Sequence, residues 1–162
     1  MKTAREVAKS WVHKAKEEKD PFDKFVYLWF AFNALYGQYL EKEDDKEKYL
    51  ICTCSKDYLK QVPRRNLQSI LNKDYVRFFE NRIIRDCRRK SGKDTRENVS
   101  SLKNTSNTLS YRVTSLLLIL YQVRCNLFHG DKMYERDSDQ EVIKNAADAL
   151  MDILGIYLES AI

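Results

Sequence analysis

Leu109, Val113, Leu116, Leu120, Val123 and Leu127 follow one another at spacings of four and three, and Val142, Ala146, Ala149, Ile153 and Ile156 repeat the pattern. An α-helix brings residues so spaced onto one face, and that face must be covered to leave water. Each segment is therefore predicted to be a long helix with an inward stripe. Gly130 fits the left-handed position just past the first of them, and Ser138 with Glu141 forms a capping-box pattern opening the second. The link of about ten residues is a short bundle connection, so the two helices are predicted to pack antiparallel.

The rest of the chain points the same way. Only 4 Gly and 2 Pro interrupt 162 residues, which favours long helices over hairpins. A first helix is predicted from about Thr3 to Glu18, opened by a Thr3 to Glu6 capping box and carrying Val7, Trp11 and Ala15 inward. A second starts at Asp20-Pro21 and runs through FDKFVYLWFAFNALYGQYL to about Leu40, apolar on nearly every side, as a central or chain-pairing helix should be. Trp29, Phe30 and Phe32 read as core or dimer contacts. Residues 45 to 60 read as a third helix. DYVRFFENRIIRDCRR reads as a fourth, with Tyr75, Phe78, Phe79, Ile83 and Cys87 inward and its arginines outward. Residues 91 to 110, rich in Ser, Thr, Asn and Lys, read as a mobile loop with at most a short turn. The expected fold is all-α, an antiparallel bundle of about five or six helices forming one domain over residues 1 to 162.

The start of the chain lacks a signal-peptide pattern, and its densest apolar run, LLLILY at 116 to 121, is too short to span a membrane. A cytoplasmic, membrane-free protein is expected. Its four cysteines then read as free thiols. CTC at 52 to 54 lacks the second close pair that a zinc site needs, and the only histidines are His13 and His129, so no metal or other cofactor is expected. Residues 73 to 103 hold ten Lys or Arg and five Asp or Glu, so this segment carries the whole net charge of +5. Concentrated cations such as Arg82, Arg85, Arg88, Arg89 and Lys90 favour a polyanion, above all RNA. The plainer reading is a solvated surface with ion pairs four residues apart.

The string RCNLFHG, residues 124 to 130, places polar chemistry at the end of the apolar helix. His129 falls in the last turn, where carbonyl partial charges favour a cation, and imidazole suits proton exchange near neutrality. Arg124, five residues earlier, lies about 140° away around the axis at roughly 100° per residue, so one chain does not stack the two groups. Asn126 shares a face with His129 and could orient its ring or donate to a phosphate oxygen. Asn33, polar within an apolar stretch, would need a partner if buried, and Tyr36 beside it is a further candidate. An arginine stem covering the bundle end and a histidine capping carbonyls would explain Arg124 and His129 without catalysis.

RCNLFHG also resembles the R-x4-6-H signature of the HEPN superfamily of small helical domains, with Arg124 and His129 at the ends of the motif. The signature stands where that family has it, at the end of a long apolar helix followed by a loop and another long helix. YLWFAFNALYGQY looks like an N-terminal helix of many HEPN-like proteins, whereas residues 41 to 107 resemble nothing comparable. The family often has Asn, Asp or His directly after the arginine. Here that position is Cys125, and Asn126 follows. The resemblance implies a metal-independent endoribonuclease, a hydrolase working as a homodimer whose two copies complete one cleft, in a toxin-antitoxin or defence setting. An antitoxin or nucleotidyltransferase-like partner would go with it. It equally allows a catalytically silent module that binds RNA or nucleotide, or a dimerising adaptor.

Overall fold

A computed structural model describes residues 1–88, 92–130, 134 and 136–159. Among these residues the fold is all-α, with α1 Ala4–Glu17, α2 Pro21–Gly37, α3 Glu47–Leu59, α4 Arg64–Leu71, α5 Asp74–Glu80, α6 Arg96–Lys103, α7 Leu109–Phe128 and α8 Asp137–Glu159. Eight described helices exceed the five or six expected, because the middle of the chain is cut into short pieces. No described helix is long and apolar enough to cross a membrane.

Local chemistry sets the ends of the long helices. The Thr3 N–H donates to Glu6 Oε2 at 2.8 Å and the Glu6 N–H to Thr3 Oγ1 at 3.2 Å, a reciprocal cap on α1. Asp20 Oδ1 accepts from the Phe22 and Asp23 N–H groups, with Pro21 at the first helical position of α2. Ser138 lies inside α8, which begins at Asp137, so the expected capping box does not mark its start.

The helix apolar on nearly every side is the central one: α2 packs on α1, α3 and α8. Phe25, Leu28, Trp29, Ala31, Phe32, Leu35 and Tyr36 are all buried along it. Each large apolar side chain withdrawn from water contributes about 1.5–3 kcal/mol. The two long striped helices are not each other's main neighbours. α8 lies chiefly on α2, and α7 chiefly on α6, α3 and α4. α7 is buried well beyond its stripe, with Leu117, Ile119, Gln122 and Asn126 enclosed as well.

The fourth predicted helix stops early. α5 ends at Glu80, where the Asn81 side-chain amide donates to the Arg77 carbonyl at 2.8 Å. Beyond it the chain leaves the helix, and residues 82–88 and 92–95 lie side by side through an isolated antiparallel bridge, a pair of segments called the ribbon below. Ile84 and Thr95 pair through backbone and side chain, and Arg85 bridges Asp94 in antiparallel fashion. The burial period changes to two, with Ile84 in at 6% exposed and Ile83 out at 44%. Ile83 is thus not the inward residue expected of a helix, and Cys87 is half-buried. The stretch read as a loop contains α6, whose Val99 and Leu102 reach the core three residues apart.

Candidate functional site

The C-terminal end of α7 presents two sides. On one, Arg124 meets α2 and α3. Its Nη1 lies 3.4 Å from Glu47 Oε1, and the Tyr36 hydroxyl donates to Glu47 Oε2 at 2.6 Å. The guanidinium carbon sits 4.6 Å from the centroid of the Phe128 ring and 5.9 Å from that of Trp29, so the cation lies against two aromatic faces. Phe128 is the residue four on from Arg124, hence its neighbour on the helix surface. The Tyr121 ring, 6.2 Å from Trp29, extends the aromatic wall.

This side is semi-enclosed. The Arg124 side chain is 21% exposed, while its Nε is a buried donor with no hydrogen-bond partner among the described residues. Burial, and then the Glu47 carboxylate, push the Tyr36 phenol well above its ordinary range. Burial and the neighbouring Cys125 do the same to Tyr121. Both phenols stay neutral, and Tyr36 acts as a donor that orients Glu47. A planar cation so braced can present its free edge to an oxyanion without much further ordering.

On the other side, Asn126 is 2% exposed. Its Oδ1 accepts from the Cys87 backbone N–H at 3.0 Å and from Gln122 Nε2 at 2.9 Å, and its Nδ2 donates to the Arg85 carbonyl at 2.8 Å. Asn126 is therefore engaged with the ribbon rather than turned towards the histidine. His129 caps α7 in solvent, its backbone N–H donating to the Cys125 carbonyl at 3.0 Å. Gly130 follows at φ +80°, the left-handed termination its sequence position suggested.

The remaining candidates separate. Tyr36 joins Arg124 through Glu47, whereas Asn33 is exposed on α2 and needs no buried partner. Arg82 is half-buried with its guanidinium 4.8 Å from the Phe78 ring centroid. Arg85 and Arg88 are exposed, and Arg88 grips Asp86 through Nε at 3.1 Å and Nη2 at 2.9 Å. Arg89 and Lys90 lie outside the described residues. Arg85, Lys93 and Arg96 also line an open cleft of about 700 Å³ on the ribbon. Among the described residues no cluster of His, Cys, Asp or Glu could hold a metal ion.

Sequence reasoning missed Glu47, Gln122 and Phe128. Phe128 had a usable signal, its four-residue spacing from Arg124. Glu47 had none, because only the fold brings the start of α3 to the end of α7. Compared with family models, curated proteins and solved structures, the chain finds no match.

Proposed function

We propose that the chain is a metal-independent endoribonuclease of HEPN type that works as a homodimer. The observation that carries this reading is the braced Arg124 at one side of the α7 terminus, with the imidazole of His129 exposed at the other. RNA cleavage of this kind removes a proton from the 2′-hydroxyl and forms the O2′–phosphorus bond. It then breaks the bond from phosphorus to the 5′-oxygen, which leaves with a proton. His129 serves the proton transfers, and Arg124 neutralises charge on the phosphorane. The two residues diverge around one helix, so the working pair comes from two copies and a 2′,3′-cyclic phosphate and a 5′-hydroxyl result. A role in defence or as a toxin held by an antitoxin partner accords with such an activity.

One observation favours a second reading, an RNA-binding or dimerising module without catalysis: Glu47 already occupies Nη1 of Arg124. Incubation of purified protein with structured RNA in EDTA separates the two. Cleavage yielding cyclic phosphate termini, reduced about 10²–10⁴-fold in His129→Ala and strongly in Arg124→Ala, is the expected result. Cleavage only with added metal, or undiminished in His129→Ala, would overturn the proposed mechanism. Tight RNA binding with no cleavage would select the second reading.

A further inference from the structure

We infer that Asn126 is a positioning residue that fixes the basic ribbon beside His129, and that this ribbon is the surface along which the RNA backbone reaches the site. The inference rests on the ribonuclease reading for its destination, and on the geometry of the ribbon for its substance.

Asn126 Oδ1 has two lone pairs, and both are taken, by the Cys87 N–H and by Gln122. One Nδ2 proton goes to the Arg85 carbonyl. Orienting the histidine through Oδ1 would require release of the ribbon or of Gln122. The contacts instead suit a clamp, since they hold the N–H of one ribbon residue and the C=O of another two positions away. Gln122, one turn earlier on α7, steadies the amide in turn.

The ribbon has its own frame. Thr95 Oγ1 accepts from the Ile84 N–H at 2.9 Å, the Thr95 N–H donates to the Ile84 carbonyl at 3.0 Å, and the Asp86 N–H to the Lys93 carbonyl at 2.9 Å. With Ile84, Asp86 and Thr95 buried, Arg85, Arg88, Lys93 and Arg96 are left exposed. Among the described residues, these four cations stand against Asp86 and Asp94, which pair with Arg88 and Arg96, so the ribbon carries an excess of two cations. An exposed, sequence-blind array of cations is what a phosphate backbone recognises.

The anchor also fixes where that array lies. At about 100° per residue, Asn126 and His129 are about 60° apart around α7 and about 4.5 Å apart along it, whereas Arg124 is on the opposite side from Asn126. The ribbon therefore serves the histidine side of the helix end. A phosphate chain held there approaches the His129 of the same copy, and the arginine it then needs is the second copy's.

Three measurements on the full-length protein test this: amide exchange at Cys87, RNA affinity by fluorescence anisotropy across a salt series, and the separate kcat and KM of cleavage. In Asn126→Ala we expect faster exchange at Cys87, RNA binding weaker by about tenfold, and a KM that rises by more than kcat falls. The double variant Arg85→Ser, Arg96→Ser leaves the clamp intact. It should keep Cys87 protected and lower the salt slope of binding by about 1.4, roughly 0.7 for each lost phosphate contact on a single strand. A fall in kcat for Asn126→Ala with affinity and Cys87 protection unchanged would make Asn126 a helper in the reaction and overturn the inference. Unaltered affinity and salt slope in the double variant would do so too, even if Asn126→Ala fails to fold. An inactive wild-type protein would sink the ribonuclease reading alone, because binding and exchange are read without cleavage.

Discussion

On one side of the C-terminal end of α7, Arg124 lies against Trp29, Phe128 and Glu47. On the other, Asn126 is tied to the backbone of the ribbon and His129 stands in solvent. The first side is braced by side chains from α2 and α3, two helices whose own burial is already secured. The second is held by main-chain hydrogen bonds to a segment with few apolar residues of its own. Under the ribonuclease reading, a cation that must meet a phosphate in one orientation gains from the first construction. A surface that must follow a flexible polyanion gains from the second, whose grip depends on charge more than on shape.

The comparison breaks most visibly at Trp29. It is buried and touches the rings of Phe25, Phe32, Tyr36 and Tyr121 as well as the Arg124 guanidinium. Trp29→Ala should lower the unfolding free energy by about 3–5 kcal/mol through the cavity it leaves, measured by urea denaturation. Amide exchange at Cys87 under native conditions should change much less than exchange in α2. Equal loosening of both would show that the two sides are one cooperative unit.

How far each side was legible follows from the same contrast. The helices that carry the Arg124 side announced themselves by apolar spacing, because burial of long stripes leaves a period in the sequence. α4, α6 and the ribbon left weaker marks. Val99 and Leu102 are two apolar residues in a Ser- and Asn-rich stretch, and Ile83-Ile84 followed by arginines fits a helix face as well as a strand. Thr95 and Asn126 decided the matter with hydrogen bonds from 11 and 39 or more residues away. Arg124, Asn126 and His129 could be picked out by type and spacing. The partners that define their roles, Glu47 and the ribbon backbone, could not, since no local pattern encodes a contact between α3 and α7.

A second test sharpens the Arg124 side alone. Folding suppresses ionisation of Tyr36, by burial first and by Glu47 second. The folded state therefore prefers the protonated phenol. Its contribution is fully present below the unfolded value of about 10 and is lost as pH rises above it, when the unfolded chain gives up the proton more readily. Tyr36→Phe should cost about 1–2 kcal/mol at neutral pH, for a hydrogen bond to a partly solvated carboxylate. Stability followed by thermal unfolding should fall less steeply between about pH 10 and 11 than in the wild type. An unchanged alkaline slope would mean that other buried phenols, such as Tyr75 and Tyr157, carry the effect.

The smallest expected effect is the most informative about what Glu47 is for. Its carboxylate is about a third exposed and meets only Nη1 of Arg124, so water and salt screen the attraction. A double-mutant cycle of Glu47→Gln with Arg124→Lys should return a coupling below about 1 kcal/mol, shrinking further at high salt. The pair would then contribute orientation rather than stability. Under the ribonuclease reading, Glu47→Gln keeps the acceptor for Tyr36 and a partner for the guanidinium, and so should retain far more cleavage than Glu47→Ala, which leaves Tyr36 and Arg124 without that partner. Equal losses in both variants would mean that the negative charge itself, not the geometry it holds, is what the site uses.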